Sequence, residues 1–276
     1  MTQATTPRPQ LFDRRAIAAH RSRLTPQALF LHDIARDEIE DRLSMVNRSF
    51  TNPALVAPFD EGWERCLPDA KHVADDETLD LAVGAHDLVV HAMSLHWAND
   101  PVGQLIQCHR ALSEDGLLLV VMLGGQTLHE LRSALATAET RLLGGLSPRV
   151  APMAEVRDLG ALLQRAGFAL PVADVVPLTA KYRDLQHLMH ELRGMGETNA
   201  MTERQRVTPS RRLFVEAEEI YRDTYATADG LLPATFELIC LTGWSPSETQ
   251  QKPLRPGSAK ARLADALKVP ETPLPK

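Results

Sequence analysis

His91, Ser94, His96 and Trp97 gather in one short stretch of the chain, and their side chains suit a ligand pocket. A histidine can act as a base near neutral pH, and an indole can close a pocket. The stretch follows a strand-like run, and ligands of doubly wound sheets bind at the carboxyl edge. The competing reading is a packed helix start with Trp97 in the core. His86, His91 and His96 are five residues apart, a spacing that shares no helix or strand face, so no metal site is assigned. Asp75 or Asp76, in HVADDE, is placed to accept ribose hydroxyls if residues 71–74 form a strand. The alternative there is a solvated acidic turn, since carboxylates are mostly exposed. Gly124-Gly125 reads either as a tight turn or as a helix start whose free N–H groups meet an anion or substrate carboxylate. The run Gly194–Asn199, with Met195 and Glu197, reads as a helix stop with room for a substrate or partner contact.

These residues need a scaffold, and the apolar pattern supplies one. Residues 86–90 and 117–123 are strand-like, the second an unbroken apolar run of the kind that parallel strands covered on both faces carry. Between them Asp100 can cap a helix, with Pro101 in its first turn. Further strands are expected at 54–57, 71–74, 172–178 and 234–241, and helices at 11–24, 28–46, 153–166, 184–193 and 209–225. Leu88, Val90, Leu118, Val120 and Leu123 are the expected core of the sheet. Alternating strands and helices on short links imply a doubly wound α/β sheet.

What such a sheet needs after its first strand is missing. That position usually carries a glycine-rich turn, because residues without Cβ let the backbone lie against a ligand. Here the chain reads NPALVAPFDEGW, and Gly62 is the only glycine between Phe50 and Val83. The composition is ordinary for a globular protein: 276 residues, 44% hydrophobic, 24% charged, net charge −6. That charge balance argues against a dedicated nucleic-acid surface. No apolar run reaches the length of a membrane span. Cys66, Cys108 and Cys240 have no C-x-x-C spacing and read as reduced thiols in a cytoplasmic setting.

DLVVHAMSLHWAND followed by LSEDGLLLVVMLGGQTLHELRSALATAE resembles strands 4 and 5 of a class I S-adenosylmethionine (SAM) methyltransferase. More narrowly, LFDRR, SLHWAND, GGQTLHELR, LRGMGETNA and DGLLPATFELICLTGW are similar to bacterial relatives of mitochondrial complex I assembly factor 5. Malonyl-carrier-protein O-methyltransferases of the biotin pathway share the core. The likeness covers residues 11–258. It implies a mostly parallel, Rossmann-like methyltransferase sheet of seven strands, the last antiparallel, with a helical N-terminal extension at 1–48. The α/β domain is then 49–246, with a helical insertion at 184–230 and a flexible tail at 247–276.

The resemblance implies SAM as cofactor, near Ala57, Phe59, Asp75, His91 and Ala92. It implies a substrate pocket near Ser94, His96, Trp97, Gly124, Gly125, Met195 and Glu197, and it assigns no catalytic residue. The 28 residues from Pro58 to Ala85 fall short of the roughly 30–34 that two crossovers and two strands need. The strand 1 to strand 4 region is therefore expected to be truncated, with the third strand missing, and SAM binding weak or lost. Three functions follow: a SAM-dependent methyltransferase-like protein of the assembly-factor type, a non-catalytic assembly protein on that scaffold, or a protein-arginine hydroxylase. The partner is a small molecule or a protein, a respiratory-complex subunit being the one the resemblance implies.

Overall fold

The computed structural model describes residues 10–250 and Lys268. The expected flexibility of the tail lies, for residues 251–267 and 269–276, outside the described residues. Among the described residues seven α-helices and six strands follow in the order α1 (Arg14–Arg21), α2 (Phe30–Met45), β1 (Pro53–Val56), β2 (Lys71–Val73), β3 (His86–Ala92), α3 (Pro101–Ala111) and β4 (Leu112–Leu123), then α4 (His129–Leu143), α5 (Val156–Arg165), β5 (Ala169–Tyr182), α6 (Leu185–Gly194), α7 (Arg211–Tyr225) and β6 (Leu232–Trp244). The sheet order is β2-β1-β3-β4-β6-β5. β2, β1, β3 and β4 pair in parallel, and β6 runs antiparallel between β4 and β5.

The period-two alternation of strands explains the two layers. Leu88, Val90, Leu119 and Val121 face α2, α4, α6 and α7, while Val89, Leu118, Val120 and Met122 face α3 and α5. All five expected core residues are buried. Helix starts follow local chemistry: Asp13 accepts from the Arg15 and Ala16 amides at 3.1 Å, and Asp100 accepts from Gly103 at 2.9 Å ahead of Pro101.

The truncation is present. β2 is a three-residue edge strand, and no strand pairs beyond it among the described residues. The β1–β2 link holds turns at 61–66 and 68–69 and no helix, and the β2–β3 link holds no helix. Other boundaries differ from the expectation. β4 starts at Leu112, because Asp115, at φ 60°, carries the expected Glu114–Gly116 turn as an irregularity within the strand. α4 begins at His129 after a turn, and β5 and β6 are longer than 172–178 and 234–241 because they pair with each other from end to end.

Candidate functional site

The turn after β1 is closed by packing. The Ala57 amide donates to the Val73 carbonyl at 3.2 Å, and the His72 ring nitrogen lies 3.1 Å from the Ala57 carbonyl. The Phe59 ring rests 4.8 Å from that of His32 on α2, and Trp63 is buried in the core beneath. Beyond β2, Asp75 is only 6% exposed. Arg21 Nη1 lies 2.8 Å from both of its carboxylate oxygens. Arg14 adds a 3.3 Å contact to Oδ2 and a 2.5 Å bond to the Asp75 carbonyl. Both arginines come from α1, where seven residues make two turns and keep one face. A shallow cleft remains between Arg14, Arg21, Phe59 and Asp75.

At the end of β3 the chain departs from strand geometry. Met93 adopts φ 48°, a conformation that costs free energy for any residue with a side chain. Ser94 to Trp97 then turn away from the sheet. His91 is fully buried, its Nε2 2.8 Å from Gln104 Oε1 and its Nδ1 3.4 Å from Ser94 Oγ. His96 and Trp97 reach across the chain to Glu197. Trp97 Nε1 donates to Glu197 Oε2 at 2.9 Å, and His96 Nε2 lies 3.2 Å from the same oxygen. The other oxygen, Oε1, has no hydrogen-bond partner among the described residues.

The sequence after α6 explains how Glu197 gets there. Gly194 packs so closely that a Cβ would sit 2.6 Å from Ala28, and Gly196 takes φ 80° to stop the helix. The Glu197 amide then closes onto the Leu192 carbonyl at 2.9 Å. Burial alone would raise the Glu197 carboxyl; His96 first and then Arg21 more than offset it and hold it below the ordinary carboxylate value. Glu197 and Trp97 line a cavity of about 420 Å³ whose walls are mainly apolar, with Leu131, Leu135, Met189 and Phe214 among them. Arg149, Arg193 and Arg204 stand around it. Arg149 is held by buried Glu139 at 2.6 Å and Arg204 by Asp13 at 3.0 Å.

Residues 47–120 match the family model described as a methyltransferase domain. The mitochondrial arginine-hydroxylase NDUFAF5 of Danio rerio is 35% identical over 253 residues, covering 92% of this chain and 72% of the relative. The Rattus norvegicus protein of the same name is 34% identical over 256 residues, 93% of this chain and 68% of the relative. A malonyl-[acyl-carrier protein] O-methyltransferase of Laribacter hongkongensis is 35% identical over 184 residues, 67% of this chain and 59% of the relative. The chain belongs to the NDUFAF5 family. It is a methyltransferase-like protein within the class I SAM methyltransferase superfamily.

In this NDUFAF5-family chain the residues singled out from sequence fall into separate groups. Ala57, Phe59 and Asp75 stand together at the β1–β2 edge. His91 and Ala92 lie beneath them, fully buried. Trp97 and Glu197 meet at the cavity, His96 reaches the Glu197 carboxylate, and Ser94 touches His91 instead. Met195 packs in the core. The Gly124 and Gly125 amides already donate, to the carbonyls of Glu237 at 3.0 Å and Ala154 at 2.9 Å. Gly125 takes φ 54°, and a Cβ there would lie 1.8 Å from the Glu237 carboxylate, so the turn favours glycine. Sequence reasoning missed Arg14, Arg21 and His32; the seven-residue spacing of the two arginines was the available signal. Among the described residues no three His, Cys, Asp or Glu side chains are grouped as a metal ion requires, and no helix is long and apolar enough to cross a membrane.

Two buried histidines make stability depend on pH. Burial pushes His32 and His91 down to about 4 from an ordinary 6.5. Between those values the unfolded chain binds the proton and the folded chain does not, so stability rises with pH across that window. Acidification from pH 7 to 4.5 is expected to lower the melting temperature, each histidine contributing on the order of 3 kcal/mol at most. His32→Gln should flatten the dependence. A wild-type melting temperature constant over that range would contradict the neutral, buried assignment.

Proposed function

We propose that this chain seats an arginine side chain of a protein partner in the cavity beside Trp97 and Glu197, and binds SAM weakly or not at all. The contrast between two buried carboxylates carries the reading. Asp75, at the edge where the fold expects a ribose, is taken up by Arg14 and Arg21 of the chain itself. Glu197, on the cavity, has one oxygen fixed by Trp97 and His96 and the other without a partner. A carboxylate held ionised on a mainly apolar wall suits a guanidinium on an apolar stem, since charge-assisted bonds are strongest where water is excluded.

The residues at the cofactor edge do not fit SAM. Pro58 fixes φ and removes an N–H, Phe59 brings bulk, and the missing strand removes scaffold from the ribose side. The function is therefore protein binding on a methyltransferase scaffold. An arginine-hydroxylase activity, as named for the relatives, would act on the seated side chain. A respiratory-complex subunit in a cytoplasmic setting is the partner this reading carries forward.

The test is a titration with a glycine-serine peptide carrying one central arginine. Replacing that arginine by citrulline, or Glu197 by Gln, should each weaken binding about thirtyfold, the worth of about 2 kcal/mol for a bond to a charged group. Equal affinity for the arginine and citrulline peptides would remove the proposal.

A further inference from the structure

We infer that the rim of the Glu197 cavity docks an acidic segment of the partner, which flanks the side chain entering the cavity. The inference rests on the cavity being a seat for a partner side chain, and it names the partner's surrounding chemistry. The observation is a convergence of guanidinium groups from three parts of the chain. The Thr25 amide donates to the Gly194 carbonyl at 3.0 Å, joining the segment after α1 to the end of α6. That bond brings exposed Arg23 beside exposed Arg193.

Arg204 arrives from the other side. Its Nη1 donates to the Met201 carbonyl at 2.8 Å, and its Nη2 pairs with Asp13 at 3.0 Å. Arg193 and Arg204 both line the cavity. His20 sits among the three and is lowered by burial first, then by the charges of Arg23, Arg204 and Arg193. Arg206 stands 3.8 Å from Asp13, and exposed Arg15 shares an adjoining depression with Arg14, Arg204 and Arg206.

Charge complementarity selects the occupant. Asp13 must serve both Arg204 and Arg206. Arg15, Arg23 and Arg193 have no carboxylate in ion-pair range among the described residues. Asp13 and Glu77 in the depression, Glu203 in the sequence and Glu197 in the cavity itself are acids close to the rim. The whole chain carries a net charge of −6, so an acidic segment is repelled from most of the surface and drawn to this rim. A nucleic acid fits less well: the rim is short, interrupted by acids, and opens onto a mainly apolar cavity suited to one side chain.

Fluorescence anisotropy with labelled peptides tests this on the full chain. Four probes combine a central arginine or alanine with flanks of four aspartates or of glycine and serine. Acidic flanks should tighten binding about tenfold at low salt, and the gain should vanish at high salt. The double variant Arg23→Glu, Arg193→Glu should abolish the acidic-to-neutral ratio while melting like the parent protein. The alanine-centred pair separates the two claims: a flank gain there, without preference for arginine, sustains the rim and sinks the arginine seat. Equal binding of acidic and neutral flanks, a gain that survives the double variant, or displacement of the peptide by oligo-dT would overturn the rim proposal.

Discussion

Arg21→Ala is expected to lower the melting temperature by about 10 °C. Asp75 is 6% exposed, and Arg21 is the group that meets both of its oxygens at 2.8 Å. Removing one partner of a buried ion pair leaves a charge without compensation, which costs about 3–5 kcal/mol. Arg14 keeps one longer contact of 3.3 Å, so the lower end, about 3 kcal/mol, is the expectation; that is roughly 6–12 °C for a domain of this size. The double variant Arg21→Ala, Asp75→Ala should recover part of the loss, because it removes the stranded carboxylate as well. Scanning calorimetry decides the matter. A melting temperature unchanged by Arg21→Ala would mean that the pair is a solvated contact, and that the chain does not use α1 to fill its own cofactor edge.

The same contact shows where sequence reasoning stops. Asp75 was legible as the acid ending the second strand, because β2 and its position follow from local pattern. Its partners were not, since Arg14 and Arg21 lie 61 and 54 residues away and nothing local pairs them. Glu197 likewise stood out in a polar stretch, but its bonds to His96 and Trp97 span 101 and 100 residues. Length was more informative. Twenty-eight residues between Pro58 and Ala85 cannot hold two full crossovers and two strands, and the sheet indeed ends at β2. The apolar runs of β3 and β4 were readable because both faces are covered. The start of β4 was hidden by Glu114-Asp115-Gly116, which has turn composition and yet stays in the strand through the positive φ of Asp115. His32 escaped notice because helix α2 reads as amphipathic, and its contact with Phe59 is again tertiary.

The proposed loss of the cofactor site carries the account, and its expected effect is larger still. The proline turn, the Phe59 ring, the occupied Asp75 and the missing strand are each expected to weaken SAM binding. Together they should cost several kcal/mol, and about 4 kcal/mol is already a thousandfold in affinity. A ligand that does not bind the folded state also cannot raise its melting temperature. The direct measurement is isothermal titration of the full chain with SAM and with S-adenosylhomocysteine, backed by a crystal soaked with the latter. The account predicts no heat at millimolar ligand and no density beside Ala57 and Asp75. Micromolar affinity, with S-adenosylhomocysteine in clear density at those two residues and Arg21 displaced from Asp75, would contradict it.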